Sequence, residues 1–186
     1  MSISLNARTL RTGRLLLRAM RLEDAADFHA IYSDPETMKY WSDKPALDIE
    51  ESEKRVREDV EAMAKGKMLF WSVCFGEEVI GKCVLFQFSL RNKRAELGYV
   101  LRRSFWGQGL MSEALAEVIR HAFEDLELHR LEADTDPKNL ASLRLLGKLG
   151  FEKEGLFRDR WFVYDQWQDS VMLGLIKPCW ERGRQD

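Results

Sequence analysis

Cysteine is scarce and scattered in this sequence. Cys74, Cys83 and Cys179 do not cluster, and two of them lie in apolar, strand-like runs, so neither a disulfide framework nor a zinc site is available and reduced core thiols follow. A basic excess is missing too: the formal net charge is -2, where a dedicated nucleic-acid binder would carry a basic patch or stripe. No apolar run approaches the roughly 18 residues of a membrane span, and residues 1–6 lack the pattern of a signal peptide. The expected protein is cytoplasmic, with no membrane partner, no direct nucleic-acid partner and no metal. Repeats, linkers and low-complexity segments are absent as well, and 186 residues fit a single domain, 1–186, large enough to bury a core without staples.

What is present is organised around residues 94–120, R-A-E-L-G-Y-V-L-R-R-S-F-W-G-Q-G-L-M-S-E-A-L-A-E-V-I-R. Period two places Ala95, Leu97, Tyr99 and Leu101 on one side of a strand and Glu96, Gly98 and Val100 on the other. Glu96 therefore faces away from the main apolar side. Leu110, Met111, Ala114, Leu115, Val118, Ile119, Ala122 and Phe123 then recur at helical spacing. Between strand and helix stands Gly107-Gln108-Gly109. Neither common phosphate loop is present, because no Gly-Lys-Ser/Thr follows and the spacing is not the dinucleotide fingerprint. Glycines at such a turn still let the backbone come close to a ligand, and the first amides of the helix lack internal acceptors and suit a phosphate. Arg102 and Arg103 precede the turn, where guanidinium groups could pair with phosphate or simply be solvated.

The remaining elements follow from punctuation and period. Residues 14–20 predict a strand, Leu22 to Tyr32 a helix stopped at Ser33-Asp34-Pro35-Glu36, and residues 48–65 a charged helix with Ile49, Val56, Val60 and Met63 inward. Residues 68–75 and 79–88 predict a hairpin that leads into the central strand. Residues 130–135 predict a short strand. A helix beginning at Asn139 is expected to bury Leu140, Leu143, Leu146 and Leu149, and two last strands span 156–164 and 167–175.

The turn Ser104-Phe105-Trp106-Gly107-Gln108-Gly109 resembles the acetyl-CoA loop of the GNAT superfamily of N-acetyltransferases, Gln/Arg-x-x-Gly-x-Gly/Ala, with Ser104 at the leading position and Arg103 one place early. Further segments resemble the RimJ/RimL-like branch, which acetylates protein N-termini: Arg11-Thr12-Gly13-Arg14-Leu15-Leu16-Leu17-Arg18, Asp24-Ala25, Ser33-Asp34-Pro35-Glu36, Asn139-x-x-Ser142 and Gly150-Phe151-x-x-Glu154-Gly155. The likeness covers nearly the whole chain. It implies an α/β GNAT fold, a mixed and mostly antiparallel sheet of about seven strands with flanking helices, and strands that splay at the acetyl-CoA site.

That resemblance also implies roles. Val100 and Leu101 would offer backbone hydrogen bonds to the pantetheine and the acetyl carbonyl, and a preorganised amide there would stabilise developing oxyanion charge. Amides from Ser104 to Leu110, through Gly107, Gln108 and Gly109, would hold the pyrophosphate with Ser112. Asn139 would bond the pantetheine or cap its helix, and Arg144 would reach the phosphates or be solvated. Glu96 is the candidate base, with a solvated or lysine-paired strand glutamate as its alternative. Ser142 is the candidate acid, because the tyrosine many members carry seven residues after the asparagine is Leu146 here. Tyr40 and Trp41 would meet substrate or pack the overhanging helices. His29, His121 and His129 show no recognisable partner. An α-amine needs less deprotonation than a lysine, which favours a protein N-terminus as acceptor. A small amine (aminoglycoside, polyamine or amino-acid-like) and a non-catalytic acyl-CoA sensor are the other readings. Trp161 and Trp167 of the last hairpin would form a homodimer surface or wall the acceptor tunnel.

Overall fold

The computed structural model describes residues 7–184; residues 1–6, read above for a targeting signal, lie outside them. Strands β1 (Leu10–Arg11) and β2 (Leu15–Ala19) lead through a 3-10 turn into helices α1 (Ala25–Tyr32), α2 (Pro35–Met38) and α3 (Ile49–Ala64). Strands β3 (Leu69–Phe75), β4 (Glu78–Ser89) and β5 (Arg94–Leu101) form a meander, followed by α4 (Leu110–Arg120) and β6 (Arg130–Thr135). Helix α5 (Leu140–Lys148), strands β7 (Glu152–Val163) and β8 (Gln166–Ile176) and helix α6 (Lys177–Arg182) complete the chain.

The eight strands form one sheet in the order β1-β2-β3-β4-β5-β6-β8-β7. The count expected from the sequence is one short, because β1 has two residues and no period can be read from a pair. Every neighbouring pair is antiparallel except β5 and β6, which run parallel. That parallel pairing stops early. Only Arg94, Ala95 and Glu96 are matched, to Arg130, Leu131 and Glu132, and beyond Glu96 the two strands part.

The two faces of the sheet bury separate cores. Leu97, Leu101, Leu115, Val118, Leu131 and Leu146 belong to the α4 and α5 side, while Phe28, Tyr32, Met38, Val56, Phe70, Val84 and Val100 pack under α1–α3. Cys74 and Cys83 are buried and Cys179 half-buried, all unpaired. The leucine spacing of α5 misleads. Each step of three turns a helix by roughly 300°, so Leu140 and Leu149, three steps apart, end about half a turn from each other. Leu146 is fully buried, Leu143 and Leu149 are half-buried, and Leu140 is 57% exposed. Ile49, at the first turn of α3, is likewise exposed. Helix α3 starts where expected: Asp48 accepts a hydrogen bond from Glu51 N at 2.9 Å, and Glu51 accepts from Leu47 N at 2.9 Å.

Candidate active site

Where β5 and β6 separate, a cavity of about 970 Å³ runs from one face of the sheet to the other. Glu96, Gly98, Tyr99, Asn139 and Ser142 border it, as do Tyr40 and Trp41 from the overhang beyond α2. Antiparallel pairing decides which backbone groups of β5 face the gap. Arg102 N donates to Ile80 O at 2.7 Å, and hydrogen-bonded pairs alternate along such a ladder. Val100, opposite Lys82, therefore spends its N–H and C=O on β4. Tyr99 and Leu101 turn theirs toward the parted side, where the Leu101 carbonyl accepts from Trp106 Nε1 at 2.7 Å. The Leu101 and Tyr99 amides are the donors left in the gap.

Glu96 is buried, 6% exposed, and makes no hydrogen bond with a described residue. Neither a solvated nor a lysine-paired glutamate is found. Its pKa is pushed up to about 7, first by burial and then by the negative charge of Asp134, with Glu132 adding and Arg160 and Arg94 opposing. Asp134 itself is held by Arg160 Nε at 2.7 Å and Trp161 Nε1 at 3.0 Å. It was not singled out in the sequence, although period two in Arg130-Leu131-Glu132-Ala133-Asp134-Thr135 puts it on the face of Glu96. On the opposite face the Tyr99 hydroxyl lies 2.6 Å from Ser142 Oγ, and burial first of all raises the Tyr99 pKa to about 12. The sequence places Tyr99 among core residues; its hydroxyl is the signal that it does more than pack. The cavity thus has a carboxyl on the α1–α3 side and a hydroxyl pair on the α4 and α5 side.

The turn after β5 is shaped for an anion. Gly107 and Gly109 have φ of 74° and 75°, a region L side chains enter at a cost of about 1–2 kcal/mol. Gly109 precedes α4 without any side-chain cap; Leu110, Met111 and Ser112 border the cavity, and their amides have no acceptor in their own helix. Asn139 caps α5, its Oδ1 accepting from Ser142 N at 3.1 Å, and Arg144 also borders the cavity. The two arginines before the turn go elsewhere. Arg102 pairs with Glu78, and Arg103 Nε with Asp34 at 3.2 Å. Gln108 Nε2 donates to Ser104 O at 3.1 Å, which braces the loop. Arg14, which sequence reasoning quoted only within a motif, donates to Gln108 O at 3.2 Å and to Glu113 at 2.7 Å, and Thr12 Oγ1 donates to Glu113 at 2.5 Å. The turn between β1 and β2 thereby clamps the glycine turn.

The model of the acetyltransferase (GNAT) domain family matches residues 14–152. This chain is a GNAT acetyltransferase. The acetyltransferase is 39% identical over 171 residues, 91% of its own length and 96% of the relative's, to the uncharacterized N-acetyltransferase p20 of Bacillus licheniformis. Over 88 residues, 47% of this chain and 45% of the relative, it is 42% identical to the [ribosomal protein uS5]-alanine N-acetyltransferase of Escherichia coli, in keeping with the RimJ/RimL-like branch. A solved spermidine N-acetyltransferase from Vibrio cholerae, in complex with CoA and spermine, shares the fold: TM-score 0.79 at 19% identity, covering 91% of this chain and 99% of that one.

Two of the three histidines of the acetyltransferase have side-chain partners, contrary to expectation. His29 Nδ1 lies 2.9 Å from Ser52 Oγ and His121 Nδ1 2.7 Å from Asp125. None of the three histidines borders the cavity. Of the tryptophans in the last hairpin, Trp161 walls the cavity, whereas Trp167 is 62% exposed and packs on Phe162 with ring centroids 5.0 Å apart.

Proposed function

We propose that this enzyme moves the acetyl group of acetyl-CoA to the α-amine of a peptide or protein N-terminus. Glu96 carries the reading: a buried carboxyl with no hydrogen bond to any described residue, at the place where the strands part, with a pKa near 7. An α-ammonium with a pKa of about 7.7–8.0 passes its proton to such a base at a cost of about one unit, roughly 1.4 kcal/mol. A lysine near 10.4 costs more than about three units, over roughly 4 kcal/mol. The base is matched to the weaker amine. Likeness to an alanine N-acetyltransferase over part of the chain points the same way.

The residues of the turn fit the donor. Amides of Gly107 to Ser112 hold the pyrophosphate, with Arg144 near by, while Asn139 and the free amides of β5 bind the pantetheine. Acetyl-CoA supplies the thioester carbonyl; the Leu101 or Tyr99 amide is placed to polarise it. Glu96 takes a proton from the acceptor amine on the α1–α3 side, beside Tyr40 and Trp41. Tyr99 and Ser142 return a proton to the thiolate on the other side.

A thiol of pKa about 8.5 leaves without much help near neutrality, so that return is worth at most about 2 kcal/mol. Tyr99→Phe and Ser142→Ala are each expected to lower kcat by about tenfold, and the double variant by little more than either, because one hydrogen-bonded pair is being removed. Steady-state thiol release measures this, and a product of the two single effects would separate the residues.

The acidic overhang, with Asp43, Glu51, Glu58 and Asp59 around Trp41, favours a small cationic amine as the second reading. Thiol release from acetyl-CoA with short peptides bearing free N-termini, with spermidine, with an aminoglycoside and with an N-blocked lysine peptide distinguishes the two. Release with free N-termini alone is expected. Release with spermidine or the aminoglycoside alone would replace the acceptor.

A further inference from the structure

Beside the main cavity lies a smaller one of about 330 Å³ under α3. Trp41, Asp43, Asp59 and Lys82 border both. Its deep end is built from Tyr32, Arg55, Asp59 and Lys82. Lys82, 6% exposed, donates to Asp59 at 2.8 Å and sits among aromatic faces, with Nζ 5.2 Å from the ring centres of Tyr32 and Phe70 and 5.4 Å from that of Trp41. Burial works against its charge, and the neighbouring Tyr32 and Asp59 outweigh burial. Two donors at this end are unused. Tyr32, 2% exposed, sets its hydroxyl beside the Lys82 ammonium, which only donates, so the hydroxyl proton finds no acceptor among the described residues, and Arg55 Nη1 is buried and finds none there either, although Nη2 donates to Lys44 O at 2.8 Å.

Buried donors without acceptors are costly, roughly 1–3 kcal/mol each, and a chain tolerates them where a ligand completes them. The mouth is different in character: Asp43 and Glu58 are exposed carboxylates there, with Lys54 among them. A cation would be held at the mouth; at the floor Asp59 is engaged by Lys82, and the two unspent donors call for an acceptor oxygen.

Register fixes how far this floor is from Glu96, the carboxyl proposed to take the amine's proton. Lys82 is paired with Val100 and Phe86 with Glu96, so Lys82 stands four residues, roughly 13 Å, along the sheet from the level of Glu96. Two or three residues of extended peptide, at about 3.3–3.6 Å each, plus an acidic side chain cover that distance.

We propose that the smaller cavity is an acceptor subsite for a carboxylate, received by Arg55, Tyr32 and Lys82 from an acidic side chain two or three residues after the acetylated N-terminus. This rests on the α-amine reading and narrows it to N-termini with an early Asp or Glu. A peptide supplies both the amine and a carboxylate at that separation; a polyamine supplies no carboxylate.

The test measures binding and turnover separately. Peptides with one Glu walked through positions two to four, and their Gln counterparts, are titrated by calorimetry into the enzyme with CoA, then assayed for thiol release with acetyl-CoA. At the best position Glu is expected to bind at least tenfold more tightly than Gln. Tyr32→Phe, which removes one unspent donor, and Arg55→Met should each reduce that preference at least threefold, with Arg55→Lys restoring part of it and circular dichroism confirming the fold. Equal binding of Glu and Gln peptides at every position, or a preference that survives both variants, overturns the subsite whatever the turnover. A binding preference without thiol release from any peptide would keep the subsite and overturn the α-amine reading.

Discussion

Glu96→Gln is expected to lower kcat by about 10²–10³-fold, in the range that positioned general bases contribute, while leaving the affinity for CoA within about twofold. The pH profile carries the sharper signature. A base with a pKa near 7 is protonated and idle below that value, so at saturating acceptor the wild-type kcat should climb through neutrality and level off above it. The Gln variant should lose that limb and keep only whatever titration belongs to the acceptor. Stability should move the other way. Between the ordinary carboxyl value of 4.5 and the folded value of about 7 the native state holds a proton that the unfolded chain releases, so Glu96 makes stability fall as pH rises through that window. The cost is fully present above pH 7. Glu96→Gln should therefore melt a few degrees higher than wild type at pH 8, with the difference shrinking toward pH 4.5. A variant that loses both activity and melting temperature would mean that Glu96 is structural.

The largest stability effect is expected at Asp24. Its carboxylate accepts from both terminal nitrogens of Arg18, at 2.6 and 2.8 Å, from Ser72 Oγ at 2.6 Å and from Arg21 N at 3.0 Å, all at 4% exposure. These bonds tie β2 and β3 to the start of α1. Burial works to raise its pKa, but the hydrogen bonds from Arg18, Ser72 and Arg21 hold it below the usual carboxylate range. Asp24→Ala leaves the half-buried Arg18 guanidinium with only its bond to the Ala19 carbonyl at 3.2 Å and strips the buried Ser72 hydroxyl of its acceptor, a loss of about 3 kcal/mol, read as a lower midpoint in urea. The pH dependence has the opposite sign to that of Glu96. A lowered pKa contributes stability that is present above the ordinary value of 3.8 and lost as pH falls through the folded one, so wild type should lose stability toward pH 3 more steeply than the variant. A loss below about 1 kcal/mol would show that the network is replaceable.

Residues 94–120 were legible because three independent signals coincide there: period two, a glycine pair and period 3.6. The face occupied by Glu96 followed from alternation alone. Its proton affinity did not, because the carboxylates that raise it stand on β6 and arrive only through a parallel register of three residue pairs. Tyr99 shows the same limit. Alternation puts it on the core side, and only packing brings α5 and its Ser142 within 2.6 Å. Lys82 reads as a stray charge in an apolar strand until the fold supplies Asp59 from α3 and three aromatic rings. In α5, equal spacing of leucines looked like a buried face, and helical geometry turned one end of it to solvent.

The most direct test uses one peptide that carries both a free α-amine and an internal lysine. After incubation with acetyl-CoA and enzyme, fragmentation mass spectrometry locates the acetyl group while released thiol is counted. One acetyl group on the α-nitrogen, matched by one thiol, is the predicted result. Acetyl on the lysine side chain, or an unmodified peptide under conditions in which spermidine is acetylated, would contradict it.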